Sequence, residues 1–352
     1  MAPKPTCLRK SLAVVTSAAT DPKLTGPILL ASYFYSRRLQ SILPSWLSTT
    51  AFFKTFALLF SFGLLRRISA KLSQWGLNNY RPDATFVKSE ELIIITGGTS
   101  GIGALTALEF AKEEVKVVVL DLFPPKEPLP SGVMFYKCDI TSTSQVAEAA
   151  EQIRMNHGDP TVLVNNAGVA YCRTILDQTE VNIRRTFEVN TIAHYWMVRE
   201  FLPAMIKKNH GHVVTVASMA SFVVHAQNTD YACTKASSQA FHEGLSSELV
   251  SRFDAPDVKT TIIHPTWTHT PMTGALTANS KFTELILEPE LVATSIAAQV
   301  MSGRSAFLFL PPAVSFLGTI RAWPSWAQQM VRKKIGPQLA FYGGSDVQMP
   351  ED

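Results

Sequence analysis

Charged residues make up only 17% of this 352-residue chain, below the usual quarter, and the net charge is +4. No strongly basic or acidic block is present to grip a polyanion, which argues against DNA or RNA as a partner. Cysteine is scarce as well. Cys7, Cys138, Cys172 and Cys233 lie far apart with no C-x-x-C pair, so neither a metal site nor a disulfide framework is implied and a reducing compartment is expected. No N-x-S/T acceptor occurs, in keeping with a cytosol-facing protein. Also missing is an uninterrupted apolar run of the ~20 residues a spanning helix needs, although apolar residues reach 46%. That content excludes disorder, and no repeat or low-complexity tract is visible.

The apolar residues are concentrated near the start. Within "GPILLASYFYSRRLQSILPSWLSTTAFFKTFALLFSFGLLRRISAKL" two apolar segments are separated by basic and proline-containing sequence, and Lys54 interrupts the second. Segments this short fit a membrane-attachment region that lies in the interface or forms a shallow hairpin. Trp46, Trp75, Tyr33 and Tyr35 suit the headgroup level. Residues 1–85 are therefore expected to attach the protein to a membrane, with a soluble helical cap as the alternative. A cleaved targeting peptide is a further alternative, because Lys4, Arg9 and Lys10 precede a weakly apolar stretch with no acid before Asp21. A second greasy region from Ala306, with Trp323, Trp326 and Arg321, forms an extension over 313–352 that either meets the same membrane or covers the core.

Between these regions, apolar runs of strand length recur at 91–96, 115–120, 133–137, 161–165, 212–217, 258–264 and 306–310. Helical patterns separate most of them, so βαβ units and a doubly wound, Rossmann-type parallel sheet of about seven strands are expected over 86–312.

The first strand runs into "TGGTSGIG", Thr96 to Gly103. Glycines 97, 101 and 103 let the backbone turn sharply and approach a ligand, and the following helix N-terminus offers free N–H groups to a pyrophosphate. Asp121 ends the second strand 24 residues after Gly97. A carboxylate there accepts hydrogen bonds from ribose hydroxyls and repels a 2′-phosphate, which favours NAD over NADP, although Lys126 could still reach around. Asp139 follows the third strand in "KCDI", placed for an adenine amino group, for a helix N-cap, or for both. "VLVNNAGVA" ends the fourth strand with Asn165, Asn166, Ala167 and Gly168, small enough for a cofactor ribose to pass.

"YACTK" carries the chemistry. Tyr231 and Lys235 are four apart and share a helix face, where an ammonium favours the phenolate and prepares a general acid/base. Ser218 stands at the end of the fifth strand to hold a substrate oxygen, and Asn190 in "FEVNTIAH" is placed to anchor a water relay to Lys235.

With T-G-x-x-x-G-x-G, N-N-A-G, Asn190, Ser218 and Y-x-x-x-K in this order across roughly 88–275, the sequence resembles the short-chain dehydrogenase/reductase family, and in particular its membrane-attached retinol dehydrogenase and 17β-hydroxysteroid dehydrogenase branch. The resemblance implies a catalytic tetrad of Asn190, Ser218, Tyr231 and Lys235. It implies an NAD site, with NADP second, formed by Thr96, Gly97, Ser100, Gly101, Ile102, Gly103, Asp121, Asp139, Ile140, Asn166, Ala167, Gly168, Tyr231, Lys235, Pro265 and Thr270. One departure stands out: in "HPTWTHTPM" Thr266 replaces the family's glycine after Pro265. A homodimer through the helix carrying Tyr231 is implied, as is a place at the endoplasmic reticulum or lipid droplet.

The segment from Met272 to about Leu287 is expected to form a lid, with Leu, Phe and Ile suited to an apolar substrate. The expected activity is interconversion of a lipophilic alcohol (retinoid, steroid or long-chain lipid) and its carbonyl at a membrane. A reductase of a soluble secondary metabolite and a catalytically idle, cofactor-binding membrane scaffold are the alternatives.

Overall fold

The structure, a computed structural model, describes residues 20–35, 38, 41, 42 and 48–343. Trp46, Lys4, Arg9, Lys10 and Cys7 lie outside the described residues. The chain divides into two compact units, Met1–Gly76 and Leu77–Asp352.

In the first unit, helix α1 (Pro22–Phe34) opens on Asp21, whose side chain accepts from the Lys23 N–H at 2.8 Å. Helix α2 (Thr49–Leu77) is longer than the apolar run in the sequence, continuing through Arg66, Arg67 and Lys71 for 29 residues. The two run antiparallel. Arg67 pairs with Asp21 at 2.6 Å at one end, and the Tyr33 and Phe53 rings lie 6.3 Å apart at the other. Gly63 allows the contact, since a Cβ there would stand 1.8 Å from the Thr20 carbonyl oxygen. Among the described residues no helix is long and apolar enough to cross a membrane.

The second unit contains seven parallel strands: β1 (Leu92–Thr96), β2 (Lys116–Asp121), β3 (Val133–Lys137), β4 (Val162–Asn165), β5 (His212–Val216), β6 (Lys259–Pro265) and β7 (Ala306–Leu310). Their order is β3-β2-β1-β4-β5-β6-β7, the arrangement expected from the alternating sequence. Ile94 pairs in register with Val118 on one side and Leu163 on the other. The central strands are buried on both faces, which is why they read as continuous apolar runs rather than alternating ones.

The period of two still operates within them. Ile94, Val118, Leu163 and Val213 face one layer, formed by helices α4 (Thr143–His157), α6 (Ala193–Lys208) and α7 (Thr229–Ser251) through Ile153, Met197 and Leu249. Ile93, Ile95, Val117, Val119 and Val214 face the other, formed by α3 (Gly101–Lys112) and α8 (Pro289–Met301) through Phe110 and Ile296. Helix α5 (Glu180–Phe187) precedes α6, and α9 (Ser325–Ile335) lies in the C-terminal extension. The strand order reverses direction between β1 and β4, and a crevice at the carboxyl ends of the strands opens at such a switch point.

Candidate active site

The turn from β1 into α3 has a glycine wherever the backbone has no room. Gly97 (φ +65°) faces Ala167, whose Cα would lie 2.9 Å from a Cβ added there. At Gly103 an added Cβ would come within 2.2 Å of the Gly97 carbonyl oxygen. The "NNAG" segment is stitched to this turn. Thr96 Oγ1 accepts from the Asn166 and Ala167 N–H groups at 3.0 and 3.1 Å, and Asn166 Nδ2 donates to the Thr96 and Gly97 carbonyls. The tie between the two segments is thus made by the Asn166 side chain, while both polar atoms of Asn165 are buried without a partner.

Asp121 projects from the end of β2 toward this turn. Its Oδ2 accepts from Thr99 N–H (3.1 Å) and Thr99 Oγ1 (2.7 Å), and its Oδ1 from Phe123 N–H (3.2 Å). The N-cap of α4 is Ser142, not Asp139. Asp139 holds Thr141 through its N–H and hydroxyl and faces Arg185 at 3.4 Å. Burial works to raise the Asp139 carboxyl, but the Thr141 hydrogen bonds and the Arg185 guanidinium outweigh it and hold the group below the usual range. Arg185, on α5, was not singled out from the sequence, where an arginine on a helix reads as a solvated charge.

The four expected catalytic side chains gather at the carboxyl ends of β4 and β5. Asn190 sits in a π-helical turn, Glu188–Ile192, between α5 and α6, an irregularity common at functional sites. It is fully buried, accepts from Val169 N–H at 2.8 Å and donates to the Val169 carbonyl at 2.9 Å and to Thr234 Oγ1 at 3.1 Å. Gly168 passes between Asn190 and Lys235: an added Cβ would stand 3.3 Å from Asn190 Oδ1 and 3.6 Å from Lys235 Nζ. Ser218 is hydrogen-bonded to Tyr231, and its carbonyl is held by Nδ1 of the buried His264 at 3.0 Å. His264, stacked on Phe307 and Phe309, is a support that the sequence did not disclose.

Lys235 and Tyr231 share a helix face as expected, with Nζ 5.5 Å from the ring centroid. The electrostatics differ from expectation. Lys235 donates to the Val216 carbonyl at 2.8 Å, and burial pulls its ammonium down to about 8. Burial also pushes the Tyr231 phenol up to about 12, against the Ser218 hydrogen bond, which acts the other way. At Tyr231 desolvation therefore outweighs the Ser218 hydrogen bond, and the phenol is held in its neutral form near pH 7.

Most of these groups open into one cavity of about 500 Å³, whereas Asn190, Gly103 and His264 are not among its lining residues. It runs from Gly97, Gly101, Asp121 and Ile140 past Gly168 to Ser218, Tyr231 and Lys235, and also takes in Ser100, Ile102, Asp139, Asn166, Ala167, Pro265 and Thr270. Thr96 is set behind it, buried between β1 and "NNAG". Thr266, in place of a glycine, pairs its N–H with the Leu310 carbonyl and also faces the cavity.

In the lid region Leu276 and Leu285 line the cavity, and Leu276 also joins Phe282 and Leu339 in a small core of its own, where Phe282 packs edge-on against Trp267. The far wall comes from the C-terminal extension, through Val314, Leu317, Val331, Ile335 and Tyr342. This segment is held in place by Arg321 donating to the Ser221 carbonyl (2.7 Å) and Gln227 donating to the Tyr342 carbonyl (2.9 Å). The sequence marks this extension as apolar, able to meet a membrane or cover the core, but carries no motif that places it at the cavity.

Comparison with known proteins agrees with this geometry. Residues 91–281 match the short chain dehydrogenase family. Dehydrogenase RED2 of Cochliobolus heterostrophus is 43% identical over 201 residues, 56% of this chain and 76% of that protein. Human estradiol 17-beta-dehydrogenase 11 is 34% identical over 254 residues, covering 70% of this chain and 83% of that one. The solved 3-ketoacyl-(acyl-carrier-protein) reductase of Brucella melitensis, complexed with NADH, shares the fold at a TM-score of 0.55 and 22% identity, over 62% of this chain and 96% of that chain. With a tight glycine turn at the carboxyl end of β1, and a serine, tyrosine and lysine opening into the same cavity, the chain belongs to the short chain dehydrogenase family and is an NAD(P)-dependent oxidoreductase acting on CH–OH groups.

Proposed function

We propose that the protein interconverts a lipophilic alcohol, of the retinoid, steroid or long-chain lipid class, and its aldehyde or ketone at a membrane surface, with NAD as the preferred cofactor. The observation that carries this reading is the single cavity. One end presents the glycine turn and Asp121, the middle presents Ser218, Tyr231 and Lys235, and the far end is walled by Leu276, Leu285, Val314, Leu317, Val331 and Ile335.

The glycine turn and the α3 N-terminus would hold the pyrophosphate, Asp121 the adenosine ribose, Asp139 and Ile140 the adenine, and Asn166, Ala167, Gly168, Pro265 and Thr270 the nicotinamide half. The bound dinucleotide accepts or supplies the hydride at its nicotinamide ring. Ser218 fixes the substrate oxygen, and in alcohol oxidation Tyr231 takes the hydroxyl proton as the hydride leaves the carbon. In carbonyl reduction the same proton returns. Lys235 and Asn190 flank the tyrosine, the first favouring its anion electrostatically and the second fixing the turn that brings Gly168 past the ammonium. A catalytically idle scaffold has no use for this set, and activity lost on altering it would set that alternative aside.

The choice of cofactor rests on Asp121, which keeps its charge close to the Thr99 turn. Asp121→Ser is expected to shift the NADH to NADPH affinity ratio toward NADPH by about tenfold or more, since a single lost charge repulsion or hydrogen bond is of that order. Parallel titrations read it; an unchanged ratio would show that Asp121 is not the selector.

Residues 1–85 serve in this reading as the membrane attachment, 86–312 as the catalytic domain and 313–352 as an apolar extension. Support comes from an exposed stripe on α2: Leu58 is 72% exposed, Phe62 55%, Leu65 65% and Leu72 57%, at three- and four-residue steps and their multiples, which place them on one face. An apolar stripe of this length calls for a partner. The partner inferred is the cytosolic face of the endoplasmic reticulum or a lipid droplet, with α7 of two copies forming a homodimer. Full-length protein is expected to float with phospholipid vesicles, and Leu58→Glu with Leu65→Glu to leave most of it at the bottom of the gradient. Wild type that stays down would overturn the attachment.

A further inference from the structure

Buried polar atoms of His225, Asn228, Thr266 and Arg185, all residues of the cavity wall, have no hydrogen-bond partner, and the first two lie on the segment that leads into α7. Asn228 is 3% exposed and lines the cavity, and its Oδ1 has no hydrogen-bond partner. It precedes α7 as its capping residue yet makes no side-chain cap bond, so helix capping does not explain it. Nε2 of His225, also in the cavity wall, is likewise buried without a partner. The His225 ring is held edge-on against Trp267, with centroids 5.5 Å apart and planes at 75°. Burial lowers this imidazole to about 4. It is therefore neutral near pH 7 and able to donate or accept at Nε2 according to its tautomer.

Buried polar atoms are nearly always satisfied, and each exception calls for an explanation. A substrate that is hydrocarbon throughout would leave both of these orphaned when it displaced water from the cavity. Substrate oxygens would satisfy them: a hydroxyl would donate to Asn228 Oδ1, and a hydroxyl or carbonyl oxygen would meet His225 Nε2. Asn228 and His225 precede the helix that carries Tyr231 and line the same cavity as Ser218 and Tyr231, so the oxygen they would hold is one additional to the reacting oxygen.

We propose that His225 and Asn228 form a polar subsite that selects lipophilic substrates carrying a second oxygen besides the one at the reacting carbon, such as hydroxy ketones or the corresponding diols with an apolar tail. The proposal rests on the oxidoreductase reading above and narrows its substrate class. The tail occupies the part of the cavity lined by Leu276, Val314, Leu317 and Ile335.

The test compares 2-decanone with 4-hydroxy-2-decanone on the full-length protein with NADH, in wild type and in Asn228→Ala and His225→Phe. Wild type is expected to favour the hydroxy ketone at least tenfold in kcat/KM, and each variant to lower that ratio at least fivefold. A merely structural role would lower both activities together and leave the ratio unchanged. That result, or a wild-type ratio near one, would overturn the subsite. If wild type turns over neither ketone, the failure falls on the oxidoreductase reading. The subsite is then read as the ratio of the two dissociation constants for NADH-loaded protein by calorimetry, under the same two criteria.

Discussion

Tyr231→Phe is expected to bind NADH within about twofold of wild type and to lose about a thousandfold in turnover, a size typical of removing a positioned acid/base. The phenyl ring keeps the packing of the side chain and loses only the hydroxyl hydrogen-bonded to Ser218. The pH profile gives a second reading. With burial raising the phenol to about 12 and lowering the lysine to about 8, the phenolate form is scarce near neutrality. Alcohol oxidation needs the deprotonated phenol, so its kcat/KM should climb with pH toward the apparent pKa of the Tyr231–Lys235 pair, close to tenfold per unit. Carbonyl reduction needs the protonated phenol and should stay level below that pKa and fall only above it. A Phe variant with substantial turnover, or oxidation flat from pH 6 to 10, would remove Tyr231 from the role.

Gly103→Ala should disable the cofactor cradle. The added methyl would lie 2.2 Å from the Gly97 carbonyl oxygen and 2.6 Å from Asn166 Nδ2. Both belong to the hydrogen-bonded seam joining the turn to "NNAG", so neither retreats without breaking it. Overpacking of this kind costs about 1–3 kcal/mol, and the expected result is a Tm lower by several degrees together with NADH affinity reduced at least a hundredfold. Gly244→Ala is the control, because a Cβ there meets nothing within 4 Å and alanine favours the helix. Gly103→Ala with normal NADH binding would mean that the turn accommodates a side chain after all.

What was legible in the sequence follows from how each feature is encoded. Strands buried on both faces announce themselves as short apolar runs, so all seven could be placed to within a residue or two. The glycine turn, "NNAG", Asn190, Ser218, Tyr231 and Lys235 were legible because residue type and order carry the signal. Three kinds of information were not. Arg185, His264 and the orphaned Asn228 depend on contacts between residues far apart in the chain, which no local pattern records. The balance at Tyr231 depends on how thoroughly the helix face is desolvated, and spacing alone revealed only the neighbouring ammonium. In the first unit apolar runs alone did not give the helix length: α2 runs from Thr49 through Lys54, which interrupts the apolar run, and on through Arg66, Arg67 and Lys71 to Leu77.

The far wall of the cavity has a consequence for how the protein could be changed. The family match ends at residue 281, whereas Val314, Leu317, Val331, Ile335 and Tyr342 all come later. The reacting groups thus lie within the family's stretch, whereas most of the far wall lies beyond it and is tied back to the active-site loops by Arg321 on Ser221 and Gln227 on Tyr342. A change in that later stretch has to keep these two hydrogen bonds if the wall is to stay in place. Exchange of that stretch between relatives is the direct engineering route to a new appetite on an old engine.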